Sequence, residues 1–152
     1  MAVTNDMFGL AVKNMFEGNI DLTNDTVNVC LLSAYGNHNE DYETLDALLA
    51  PEGNTEVSGA SAGYDTGGKA ITHGTADKVT YADGITTFGE HAEDTEWAAS
   101  TIDASHAVVY ISGVTEYVLC VINFDGTESS VDGTFKLDWH VNGIFRATVN
   151  PA

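Results

Sequence analysis

Apolar positions in this chain recur mostly at intervals of two, the period of a strand with one face in a core and the other in water. The cleanest run lies near the C-terminal end, where Phe135, Leu137, Trp139 and Val141 alternate with Thr134, Lys136, Asp138 and His140. Asn142-Gly143 follows, a pair suited to positive φ at both positions of a tight turn, so residues 144–149 are expected to return as the hairpin partner. Asp83-Gly84 predicts a second hairpin between residues 78–81 and 85–88.

Other runs are apolar on both faces, as central strands are. Residues 27–33 (VNVCLLS) are the first of these. In residues 117–124, Val118, Cys120, Ile122 and Phe124 share one face while Tyr117, Leu119 and Val121 share the other. Val108, Val109, Tyr110 and Ile111 form a third run, and Trp97 upstream is positioned to cover its end; residues 94–111 are expected at the middle of the core.

Helical spacing occurs twice. Phe8, Val12, Met15 and Phe16 recur at three- and four-residue intervals behind possible caps at Thr4, Asn5 and Asp6, and Gly18 ends the run, so a short helix is expected within residues 1–18. That helix either closes one end of the domain or docks on a neighbouring subunit. Residues 41–50 predict another short helix, with Leu45, Leu48 and Leu49 behind the acids of its first turn and Pro51 and Gly53 ending it. The rest of residues 35–68 is expected to be a long loop region, and its Gly- and Ser-rich part lacks the spacing of a phosphate-binding loop. The pattern predicts a mainly β single domain over residues 1–152: a β-sandwich or jelly-roll-like barrel of about eight antiparallel strands with a short N-terminal helix.

Length and apolar content agree with one ordinary core, since a 152-residue chain with 43% hydrophobic residues buries about two-thirds of its unfolded surface. Charge changes the picture more. The chain has 23 Asp and Glu against 5 Lys and Arg, a formal net charge of -18. The acids are scattered from Asp6 to Asp138, so the surface repels phosphate, and neither nucleic acid nor an anionic membrane is expected as a partner. Such a surface fits high salt, where screening removes the self-repulsion, although an ordinary acidic protein is the alternative. Cys30 and Cys120 sit in apolar runs and are expected as buried thiols rather than a disulfide. No run of 18 apolar residues and no basic start with an apolar stretch is present, so synthesis and retention in the cytoplasm are expected.

Candidate chemistry is thin. His38, His73, His91, His106 and His140 show no zinc-ligand spacing. Asp125, Glu128 and Asp132 in FDGTESSVDG carry oxygen ligands of the kind calcium takes, but a solvated hairpin loop is the simpler expectation. Asp94 with Glu96 is one of many carboxylate pairs that 23 acids supply by chance, and Ser100, Ser105, Ser129 and Ser130 lack a nucleophile-elbow context. No catalytic, metal or cofactor site is expected, and the chain is expected not to be an enzyme. Tyr35, Tyr42 and Tyr64 in the long loop region are expected to be exposed, as contacts for a partner or a sugar, with local packing as the alternative.

The order of several pieces resembles a family of small tailed-phage virion structural proteins. The pieces are an N-terminal helix, NIDLTNDTVNVCLLS, EVSGASAGYDTGGKAI, DTEWAASTIDASHAVVYI, VLCVINFDG and SSVDGTFKLDWHVNGIF, covering most of residues 8 to 145. Family members are head decoration, head fibre or minor structural proteins. The resemblance implies a non-enzymatic particle component and does not fix its place in the virion; the expected place is the capsid exterior, with synthesis in the host cytoplasm. Its simplest form is a capsid decoration or cement protein that binds the outside of the major capsid protein lattice. Symmetric lattice sites demand matching copies, so a homo-oligomer is implied: a trimer, or a pentamer or hexamer at capsomer centres. Because the C-terminal hairpins read as the scaffold, the N-terminal helix and the residue 35–68 region are expected to make the contact, through Phe8, Val12, Met15 and Phe16 and through Tyr35, Tyr42 and Tyr64. Alternatives are a tail, vertex or fibre component that contacts a host receptor or glycan, and a stand-alone binding module. The chain departs from the family in its acidity and in the segment NHNEDYETLDALLAPEGN, which together imply a virus of a saline host, haloarchaeal or marine.

Overall fold

Two strands dominate the computed structural model, which describes residues 4–148. β7 (Thr95–Ser112) and β8 (Val118–Leu137) pair antiparallel along nearly their whole length, from Tyr110 opposite Val118 to Thr95 opposite Leu137. A flat 18-residue strand would span about 60 Å, too long for one small core. The ribbon instead curls at β-bulges, where the register shifts between Trp97 and Ser100, between Ser100 and Ile102, and between Ala104 and His106. Ala99 (φ 49°), Asp132 (φ 47°) and Asp125 (φ 57°) occupy left-handed backbone at these shifts. FDGTESSVDG is therefore not a hairpin loop. It is the continuing, twice-bulged middle of β8, and its two Asp-Gly pairs supply the bulges.

The inner half of the ribbon lies in a six-stranded sheet ordered β1 (Thr4–Met7), β8, β7, β2 (Thr26–Tyr35) and β3 (Asn54–Glu56), with β4 (Lys69–Ala70) also on β2. β2, the later part of β7 and the start of β8 are central, as their two-faced apolar runs predict: Val29 to Leu32, Ala107 to Val109, and Leu119 and Cys120 are all fully buried. A three-stranded sheet of β5 (Val79–Ala82), β6 (Ile85–Phe88) and β9 (Phe145–Thr148) completes a mainly β fold of curled antiparallel sheets. The curl returns Phe135 to within 6.4 Å of Phe124 and sets Trp97, fully buried, against Tyr64 at 6.0 Å and Phe135 at 6.1 Å. Trp97 thus belongs to β7 itself rather than capping its end.

Asp83-Gly84 forms the expected tight turn, with φ 51° and 82°, between β5 and β6. Asn142-Gly143 does not make the expected hairpin. β8 ends at Leu137, and the turn sends the chain to the other sheet, where Ile144 N donates to Phe88 O and β9 pairs with β6. Gly143 is required there: its φ is 87°, and a Cβ would lie 2.7 Å from Phe88 O. Because the strand stops early, Val141 is 77% exposed rather than buried.

The N-terminus also departs from expectation. Thr4 to Met7 form edge strand β1 on β8, not caps, and α1 runs Gly9–Phe16 with Phe8 as its N-cap and no side-chain cap bond. α2 (Leu45–Leu49) sits within the predicted second helix, and Thr44 Oγ1 caps it by accepting from Ala47 N. Cys30 and Cys120 lie on β2 and β8, two strands apart across β7 and thus about 10 Å from each other, too far for a disulfide.

Candidate functional site

The predicted contact residues separate into two groups. Tyr35, Tyr42 and Tyr64 are buried at 6%, 7% and 2% exposure, so their expected role as exposed contacts is overturned. Tyr64 shows why. β4 pairs with Asn28 and Val29, while β3 pairs with Leu32 to Tyr35, leaving the outward N–H of Leu31 in the gap. The Tyr64 hydroxyl fills that gap: it accepts from Leu31 N at 3.0 Å and donates to Glu56 Oε1 at 2.7 Å, which also accepts from Gly67 N. Tyr42 donates to Asn37 O at 3.1 Å and meets Phe8 edge-on at 6.5 Å. The residue 35–68 region is tied to the sheet by its own aromatics.

Phe8 is likewise buried, at 4%. The face of α1 that meets the domain is Ala11 and Asn14, with Met15 partly covered. Asn14 takes a central place because its polar atoms are all engaged: Nδ2 donates to Leu10 O and Glu43 Oε1, and Oδ1 accepts from Asn19 Nδ2. That rotation leaves Val12 and Phe16, four residues apart on the other face, at 36% and 89% exposure. Lys13 lies between them in sequence and pairs with Glu17 at 2.9 Å, an exposed pair of small energetic weight.

The polar candidates assemble into structure rather than a recognisable reactive centre. Ser105 Oγ lies 2.9 Å from His106 Nδ1, and the ring packs with Tyr35 at 5.3 Å and His38 at 6.1 Å. His106 Nε2 is buried without a hydrogen-bond partner, so no third group orients the ring as a nucleophile's base requires. Burial, and then His38, hold its pKa below the ordinary imidazole value. Asp94 and Glu96 are not an isolated acid pair. With Asp138 they surround Lys136 Nζ at 2.8, 4.0 and 2.7 Å, and the hydrogen bond from Lys136 holds the Asp94 carboxyl below its usual range. Among the described residues, no three His, Cys, Asp or Glu side chains are grouped to hold a metal ion, so Asp125, Glu128 and Asp132 do not form a calcium cage.

The curl of the ribbon creates a groove that the sequence did not single out. It has a volume of about 720 Å³, and Phe124, Phe135, Trp139 and Ile144 form its apolar walls. Glu128 and Asp138 stand on its rim, next to the acids around Lys136. Trp139 Nε1 donates to Thr95 Oγ1 at 3.1 Å, which pins the indole to the end of β7. A smaller cavity of about 500 Å³ beside β2 is lined by Ile71, Thr72, His73, Lys78 and Glu93. The His73 ring nitrogens are buried without partners against Phe88, and burial lowers its pKa. Among the apolar features the molecule presents to solvent are the Val12–Phe16 face and the Trp139 groove; Tyr81, Val114, Val131 and Val141 are exposed as well. No protein-family model, curated protein or solved structure matches this chain.

Proposed function

We propose that the chain is a non-enzymatic structural component of a tailed-virus particle, most simply a capsid decoration protein on the outside of the major capsid protein lattice of a virus from a saline host. The observation that carries this reading is Phe16, 89% exposed on a helix whose opposite face is fully committed to the domain. An exposed Phe beside Val12 contributes nothing to the isolated fold and marks a surface that is covered on assembly. The pair is small, so one contact binds weakly. On a lattice many such contacts act together, and effective concentration makes up the affinity that a single contact lacks. The net charge of -18 fits the same setting: it keeps free copies apart in dilute buffer and loses that effect where salt screens it. The order of sequence pieces that resembles virion structural proteins is consistent with the same reading.

The contact surface proposed here is narrower than the sequence implied. Tyr35, Tyr42, Tyr64 and Phe8 drop out, and Val12, Phe16 and the half-covered Met15 remain. Removing residues 1–18 is no test of that surface, because it also removes β1 and the buried Phe8. The direct test adds recombinant protein to particles made without it and pellets them at high salt. Saturable co-sedimentation, at a copy number that scales with the shell, supports the reading; protein that stays in the supernatant contradicts it.

A further inference from the structure

We propose that Phe16 and Val12 of one copy seat in the Trp139 groove of a second copy, joining chains head to tail. The inference deepens the particle reading and rests on it for its biological sense, but it concerns the isolated chain and is tested there.

Three observations select a second copy as the occupant. First, the molecule carries both halves of an apolar contact. The groove, at about 720 Å³, falls within the usual range of ligand pockets and is walled by Phe124, Phe135 and Trp139, while Phe16 is the most exposed aromatic residue. Second, the two halves cannot meet within one chain. Met7 pairs opposite Cys120 and Thr4 opposite Asn123, and Phe8 N donates to Leu119 O, so α1 leaves β8 at the Leu119 end. The groove lies in the other direction along β8, from Ile122, opposite Asn5, through Phe124 and Glu128 to Phe135, and Phe16 stays 89% exposed. Third, the charges favour a cation at the groove. Glu128, Asp138 and Lys136 line it, and Lys136 is shared by three carboxylates, Asp138, Asp94 and Glu96, whereas beside Phe16 one lysine, Lys13, meets one carboxylate, Glu17. The Lys13–Glu17 pair is exposed, at 55% and 47%, so exchanging Glu17 for a rim carboxylate is an even trade in water and a gain in the partly dried contact.

Head-to-tail contacts are heterologous: they close into rings when the rotation per copy divides the circle and otherwise extend. The trimer, pentamer or hexamer expected at lattice sites is the closed form of such a contact. An isologous helix-to-helix dimer would instead set two Lys13–Glu17 pairs together and leave the groove empty.

The test is sedimentation velocity of the full chain in about 1 M KCl, where the Debye length of about 3 Å removes the long-range repulsion between copies. The wild type is expected to associate with rising concentration, and Phe16→Asp to weaken association by at least about tenfold. Thr134→Arg, which puts a long side chain on the groove rim, is expected to do the same. The decisive sample is the mixture. Phe16→Asp supplies only a groove and Thr134→Arg only a knob, so together they form one-to-one dimers that grow no further. Because Trp97 is fully buried, the change in tryptophan emission on association comes from Trp139 and is absent in either variant alone. If Thr134→Arg does not fold by circular dichroism, Asp138→Lys takes its place as the groove variant.

A wild type that stays monomeric to about 1 mM overturns the proposal. So does association that survives Phe16→Asp, or a mixture that does not pair. A Trp139 response to maltohexaose with no self-association would assign the groove to a glycan instead and also overturns it. A chain abundant on particles yet monomeric in solution refutes the head-to-tail contact and leaves the particle reading standing.

Discussion

Tyr64→Phe is the sharpest probe of how the long loop region is held. The substitution keeps the ring, which is 98% buried against Trp97, and removes only the hydroxyl. Two hydrogen bonds are lost. The bond from Leu31 N has no backbone replacement, because Val57, the residue after β3, meets Leu31 through its own N–H on Leu31 O and β4 pairs only as far as Val29; a buried orphaned N–H costs about 1–3 kcal/mol. The bond to Glu56 is to a charged acceptor, but Glu56 keeps its bond from Gly67 N, so its loss adds about 1 kcal/mol. The sum is about 2–4 kcal/mol, which lowers the melting temperature of a domain this size by roughly 5–15 °C. Tyr42→Phe is the control, since its hydroxyl donates only to Asn37, to O at 3.1 Å and more weakly to Oδ1 at 3.5 Å, and its loss costs about 1 kcal/mol. Calorimetry of both variants at one salt concentration makes the comparison. A Tyr64→Phe melt within about 1 °C of wild type, or no lower than that of Tyr42→Phe, refutes the assignment of Tyr64 as the clamp across the gap in the sheet.

Four further outcomes follow from the same structure. Ala99→Gly relieves left-handed backbone at an exposed bulge and is expected to stabilise by about 0.5–1 kcal/mol in denaturant titration, where a loss would contradict the bulge geometry. Raising KCl from about 0.01 to 1 M shortens the Debye length from about 30 to 3 Å and is expected to raise the melting temperature, since 23 acids face 5 cations; a flat or falling curve refutes self-repulsion as the dominant charge effect. Burial lowers the pKa of His73 and His106, so the native rings take up protons less readily than the unfolded ones. Their contribution to stability is complete above pH of about 6.5 and is lost as pH falls below it; in 1 M KCl the melting temperature should drop on that side, and His73→Gln should flatten the drop. Burial pushes the Cys30 thiol up, so a thiol reagent at neutral pH is expected to leave Cys30 unmodified in the native protein and to label it in denaturant; fast native labelling would show that β2 opens readily.

The sequence made the strands legible and their partners much less so. Two-faced apolar runs at residues 27–33 and 117–124 identified central strands because burial on both faces is written in consecutive residues. The Asp-Gly and Asn-Gly pairs were less informative. Asp83-Gly84, Asp125-Gly126, Asp132-Gly133 and Asn142-Gly143 all favour positive φ, yet one makes a hairpin, two make bulges and one passes the chain between sheets. Which outcome occurs depends on whether the flanking strands pair with each other, and that is a non-local property. The buried face of α1 is non-local for a similar reason: Asn14 is buried because Glu43 Oε1, 29 residues away, accepts a hydrogen bond from its Nδ2. The burial of Tyr64 has no local signature, because the Leu31 N–H from which its hydroxyl accepts a hydrogen bond lies 33 residues away. The groove was invisible on the same grounds, since it exists only once the bulges of β8 bring Phe135 back over Phe124.

The measurement that tests the central claim most directly is the stoichiometry of this chain in purified virus particles, by quantitative mass spectrometry scaled to the most abundant shell protein. The account predicts about one copy per one to three shell subunits, as symmetric occupation of a lattice requires. Absence from the particles, or a ratio tens of times lower, would contradict a decoration role.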